Sequence, residues 1–99
     1  MKKSSLAVSR AQSLHQKGEF EEAKSVYLKI LKTHPQEVDA LYGLGILSAQ
    51  MGDFAAAGAY FRTGIELQPQ NHALYLNLAN ALKALGQFDE AIYVLQEVI

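Results

Sequence analysis

Gly18, Gly52 and Gly86 stand thirty-four residues apart, and each opens the same phrase, Gly-x-Phe-x-x-Ala, written GEFEEA, GDFAAA and GQFDEA. Shifting the chain against itself by that interval aligns more than the phrase. Ala11, Gly45 and Ala79 are all small, Tyr27, Phe61 and Leu95 are all large, Leu31, Ile65 and Ile99 are all branched and aliphatic, and Pro35 falls on Pro69. A period of this length marks one supersecondary unit written several times, and such a unit leaves an apolar side that only the next copy covers. The chain is therefore restricted to a stack, and about three units is the fewest that sustains one.

Within a unit the apolar spacing is helical twice over. In the third, Tyr75, Leu78, Ala79, Leu82 and Leu85 make one stripe and Phe88, Ala91, Leu95 and Val98 a second, at intervals of three and four. Gly86 separates them, and glycine adopts the left-handed conformation that closes a helix. The repeated phrase is thus a hairpin corner. Phe20, Phe54 and Phe88 are placed to wedge into the angle between paired helices, and Ala23, Ala57 and Ala91 to let the backbones approach. Pro35 and Pro69 mark the other junction, because proline cannot continue a helix interior and pushes the residue before it, His34 or Gln68, out of helical geometry. This predicts one domain over 1–99 made of units at about 4–37, 38–71 and 72–99, the last incomplete, and no strand.

Half the residues are apolar and 19% are charged, the composition of a globular chain. Cysteine is absent, which excludes disulfides and thiolate metal sites. The opening MKKSSLAVSR lacks the apolar run of a signal peptide, and no stretch approaches the roughly 18 apolar residues of a membrane span. A soluble, cytoplasmic protein with no membrane insertion is the expectation. Charge is unevenly spread. Seven of the nine lysines and arginines but three of the ten acids precede Pro35, leaving about +4 in front and −5 behind. That asymmetry steers an acidic partner toward the front. The lysines are interleaved with apolar positions, as on a solvated helix face, and no aromatic platform accompanies them, so nucleic acid is not an expected partner.

Little in the sequence converges for catalysis. His15, His34 and His72 stand singly, with no second histidine or acid at a metal-ligand helical spacing, and no GxxxxGK phosphate loop occurs. Glu21, Glu22, Asp89 and Glu90 fall in the first turns of second helices, where they complement the helix dipole by about 0.3–1 kcal/mol each. The expectation is a chain with no catalytic residues, no metal and no cofactor.

These residues resemble the tetratricopeptide repeat family. Unit two supplies its pattern as Leu41, Leu44, Gly45, Gly52, Phe54, Ala57, Phe61 and Pro69, and unit three as Tyr75, Leu78, Ala79, Leu82, Gly86, Phe88, Ala91 and Leu95. Ser48 departs from a family preference for an aromatic or Leu, Gly64 from Ala, and Ala7 and Arg10 mark an atypical first helix. YLNLANALKALG in unit three resembles repeats of the O-linked N-acetylglucosamine transferase type, where groove asparagines grip extended substrates.

The resemblance implies an all-α, right-handed solenoid of antiparallel hairpins with the first helices lining a concave groove, and a non-catalytic role in binding a protein or peptide. Carried over residue by residue, the groove comprises Val8, Gln12, Tyr42, Ile46, Gln50, Leu76, Asn77, Asn80 and Lys83, with Ser5, His15, Asp39, Gly43 and Ala73 beside them. The carboxylate clamp of the family's chaperone-tail binders falls on Val8, Gln12, Gly43, Ala73 and Asn77, which do not supply it. Tyr42 and Leu76 serve either groove or inter-repeat packing. Gly43 either leaves room for a ligand or loosens the middle unit. The sequence ends at Ile99 within a helix and with Leu95 and Val98 apolar, so the alternatives are a recruiting or self-assembly domain at the front of a larger enzyme (a glycosyltransferase, methyltransferase or sulfotransferase) and a homo-oligomer formed through that uncapped hairpin.

Overall fold

A computed structural model of the chain describes residues 3–98. It contains six helices in sequence: α1 (Lys3–Gln16), α2 (Phe20–Thr33), α3 (Val38–Gln50), α4 (Phe54–Leu67), α5 (His72–Ala84) and α6 (Phe88–Gln96). Among the described residues there is no strand.

The three corners are built from one set of bonds. Gly18, Gly52 and Gly86 have φ of 81°, 87° and 79°, the left-handed region in which a Cβ is strained. At the first corner Gly18 N–H donates to His15 O at 3.0 Å and Glu19 N–H to Leu14 O at 3.0 Å. The same pair recurs as Gly52 to Ala49 O with Asp53 to Ser48 O, and as Gly86 to Lys83 O with Gln87 to Leu82 O. These satisfy carbonyls that the helix end would otherwise leave open, and each next helix starts two residues past its glycine. The other junction repeats as well. His34 and Gln68 sit at φ, ψ of −133°, 72° and −135°, 75°, off the helical basin as the following prolines require.

Packing joins successive hairpins into a stack. One buried cluster draws Val8 and Ala11 from α1, Ala23, Tyr27 and Ile30 from α2, and Ala40, Leu44 and Leu47 from α3. A second draws Ala57 and Phe61 from α4, Leu74, Leu78, Ala79 and Leu82 from α5, and Ala91 and Val94 from α6. Each cluster therefore crosses a boundary between hairpins. Gly45 sets the close approach of α3 and α4, since a Cβ there would lie 2.8 Å from Phe61 Cζ. Leu74, wholly buried, was not part of the expected stripe; its place one residue before Tyr75 turns it into the seam with α4, against Gly64.

The stack is elongated, 38 × 25 × 19 Å. Helix α1 touches α3 and α3 touches α5, while the backbones of α2, α4 and α6 stay apart. The first helices are thus the crowded side of the curve. Helix α4 reaches α6 through the exposed Arg62–Glu90 ion pair, 2.8 Å.

Two expectations need correction at the last hairpin. Phe20 and Phe54 are half-buried, but Phe88 is 61% exposed, because the face it shares with Leu85 and Ile92 has no further hairpin against it within the chain. Leu85 is exposed for the same reason and because its whole column, Lys17 and Met51 included, lies at the outer corner. Ile99, expected to complete an aliphatic column, lies outside the described residues.

Candidate functional site: the groove of the first helices

Because α1, α3 and α5 lie side by side, residues spaced along their free faces share one surface. Its best-formed part is a cavity of about 600 Å³ between α1, α2 and α3, lined by Gln12, His15 and Gln16 of α1, Phe20 and Tyr27 of α2, and Tyr42, Gly43, Ile46 and Gln50 of α3. Four expected groove residues, Gln12, Tyr42, Ile46 and Gln50, meet here. His15 Nε2 hydrogen-bonds Gln50 Oε1, tying α1 to α3, and its ring stands edge-on to Phe20 at 5.4 Å. No lysine, arginine or carboxylate lines the cavity.

Farther along, Asn77 Nδ2 donates to Ala73 O at 2.8 Å within α5 and to the Tyr42 hydroxyl at a long 3.4 Å across the seam. Tyr42 also packs at 6.4 Å from Phe61, with the rings tilted by 60°. It serves packing and groove together. Asn80 and Lys83 are exposed on α5, beyond the cavity, and Leu76 is 51% exposed.

Val8 does not line the groove. It is 6% exposed and belongs to the cluster that includes Ala40 and Leu44 of α3. Val8, Tyr42 and Leu76 are equivalent positions: Val8 is buried and the larger Tyr42 half-buried, each with a hairpin following its own, while Leu76, in the last hairpin, is exposed. Gly43 neither leaves ligand space beside Tyr42 nor loosens the unit. A Cβ on it would lie 2.8 Å from Tyr27 Cε1 and closer still to the Tyr27 hydroxyl, so the ring already occupies that room.

Gln16, Phe20 and Tyr27 are cavity residues that the family's groove positions did not indicate. The sequence carried a signal of close approach but not of Tyr27 itself. A glycine inside a helix marks close approach of some group, and the structure shows that at Gly43 the group is the Tyr27 ring.

Elsewhere, Ala7, Leu14, Val26 and Ile30 line an apolar groove between α1 and α2 whose edges carry Arg10, Lys29 and Glu22. At the opposite end Phe88, Ile92 and Tyr93 are exposed beside Asp89 and Glu90. Among the described residues no three His, Asp or Glu side chains converge to hold a metal, and no helix is long and apolar enough to cross a membrane.

The architecture is a solenoid of helical hairpins, held by identical corners and carrying its candidate site on the first helices. Tetratricopeptide repeat models match residues 8–72 and 48–99, and the chain belongs to that family. It is 32% identical over 76 residues to human tetratricopeptide repeat protein 7A, matching 77% of this chain and 9% of that protein. It superposes on a crystal structure of MamA with a TM-score of 0.92 at 19% identity, covering 96% of this chain and 56% of that one. On an O-GlcNAc transferase from Thermobaculum terrenum the TM-score is 0.85 at 24% identity, covering 99% and 20%. These two likenesses are likenesses of fold. The chain spans between 9% and 23% of the length of the curated relatives it matches.

Proposed function

We propose that the chain is a non-catalytic interaction module that holds an extended peptide, or a partner helix, in the groove of α1, α3 and α5. The observation that carries this reading is the uncharged, amide- and aromatic-lined cavity that opens where the first helices converge. Aromatic faces supply contact area, while Gln12, Gln50 and Asn80 offer amides that pair with a peptide backbone in either sense. The positions of a carboxylate clamp carry Val8, Gln12, Gly43, Ala73 and Asn77, so a partner ending in an acidic motif is not the expected one.

Replacing Asn77 and Asn80 together by Ala tests the groove. Affinity for the partner captured by the intact protein should fall while helicity and melting stay nearly unchanged. Undiminished binding would remove α5 from the groove, and undiminished binding in Tyr42→Ala with Gln50→Ala as well would place the interaction elsewhere.

A second reading, self-association, is favoured by the two ends of the stack. The apolar groove at one end, edged by Arg10 and Lys29 with Glu22 beside them, matches the exposed apolar face of Phe88, Ile92 and Tyr93 at the other, where Asp89 adds an acid next to the Arg62-paired Glu90. Head-to-tail pairing of copies should raise the solution mass with concentration and weaken in salt. A single-chain mass at high concentration and low salt would exclude it.

A further inference from the structure

Tyr27 is a donor without an acceptor. The residue is 1% exposed, and its hydroxyl makes no hydrogen bond to another described residue; buried polar groups are seldom left so, because losing water without gaining a partner is costly. The hydroxyl end of the ring lies against Gly43, and both residues line the cavity between α1, α2 and α3.

The second seam shows what is missing at the first. Thirty-four residues on, Phe61 stands in the place of Tyr27 and Asn77 in the place of Gly43. There the ring has no hydroxyl, and a side-chain amide lies on the groove side. At the first seam a hydroxyl is present and the amide is gone, so the end of the phenol lies against the Gly43 backbone at the wall of the cavity. Burial pushes the pKa of Tyr27 above the ordinary phenol value, so the group remains a protonated donor at neutral pH.

We infer that this cavity is a subsite for one uncharged carbonyl group of a bound peptide, accepting the Tyr27 hydroxyl's hydrogen bond. The inference rests on the groove proposed above and specifies its chemistry. A carboxylate would find no lysine or arginine among the lining residues, and an ammonium no carboxylate. Gln12 and Gln50 each present a donor and an acceptor, and so match the remaining edges of an amide. The His15–Gln50 hydrogen bond across the cavity is exposed, so an entering group displaces it at little cost. A neutral carbonyl comes from an Asn or Gln side chain or from the peptide backbone.

The experiment is an NMR titration of the ¹⁵N-labelled full chain, wild type and Tyr27→Phe, with three probes through the millimolar range: the N-acetyl, N-methylamide derivatives of glutamine, alanine and glutamate. Saturating shifts at the Gly43 and Gln50 amides are expected with neutral probes and markedly weaker ones with the glutamate probe. Equal binding of glutamine and alanine probes assigns the group to the backbone, and binding of the glutamine probe alone assigns it to a side chain; both support the subsite. Tyr27→Phe should bind the neutral probes about fivefold to tenfold more weakly, the worth of one neutral hydrogen bond, with no drop in melting temperature.

Unchanged binding in Tyr27→Phe, a glutamate probe that binds as well as the neutral ones, or a marked drop in melting temperature for Tyr27→Phe would overturn the subsite. The first of these outcomes, combined with loss of probe binding in Tyr42→Ala, would leave the wider groove standing. Absence of any shift from Gln12 to Asn80 would remove both.

Discussion

At the scale of single residues, the helix glycines separate into those that are needed and one that is not. Gly43 and Gly45 are flush against the rings of Tyr27 and Phe61, two of the largest fully buried side chains. Adding a methyl at Gly43 gains about 1 kcal/mol of helix propensity. It also drives a Cβ into a ring that cannot swing aside, and overpacking of this kind costs about 1–3 kcal/mol, with contacts this short at the upper end. Gly43→Ala should therefore lower the melting temperature. Gly58 sits in the same kind of helix interior, but a Cβ there would meet only Leu78 Cδ1, at an ordinary 3.6 Å. Gly58→Ala should stabilise by about 0.5–1 kcal/mol, read as a raised denaturant midpoint with unchanged slope. From the sequence alone the two glycines look alike, since the difference lies in which side chain of a neighbouring helix comes near.

Among the elements, the corners were the most legible part and the caps the least. Gly-x-Phe-x-x-Ala repeats because the left-handed glycine and its two hydrogen bonds are one solution used three times. The residue between Gly and Phe varies, and only at the middle corner does it cap: Asp53 Oδ1 accepts from Ala56 N–H at 3.1 Å, while Glu19 and Gln87 make no such bond. Removing the cap as Asp53→Ala should cost about 1 kcal/mol, whereas Glu19→Ala should change stability far less. Chemical denaturation of both variants checks this. The Phe of the phrase reads differently at each corner for a reason outside its own element. Phe20 and Phe54, each with a further hairpin stacked after its own, are half-covered, and Phe88, in the last hairpin, is not. Local sequence specifies the turn, and a neighbouring hairpin specifies the burial.

For the molecule as a whole, the stability and the groove arise from the same cause. Successive hairpins close one another's apolar flanks, and this seam-by-seam closure draws the first helices together into a surface. The family resemblance indicated Gln12, Tyr42, Ile46 and Gln50 as groove residues, and the four line one cavity between the first helices. It misplaced Val8, because its cover comes from α3, and it missed Tyr27, whose hydroxyl reaches the groove from a second helix. The seam between α4 and α5 is the place to test the central claim, and Leu74 is its wholly buried member, packed with Phe61 and Leu78. Leu74→Ala should cost about 2–5 kcal/mol. Its effect should also cross the seam, since repeat stability is a sum of unit and interface terms. Native-state amide exchange of Leu74→Ala is the direct measurement. The account predicts lost protection in α3 and α4 as well as in α5 and α6; protection lost in α5 and α6 alone, with α3 and α4 at wild-type values, would contradict it.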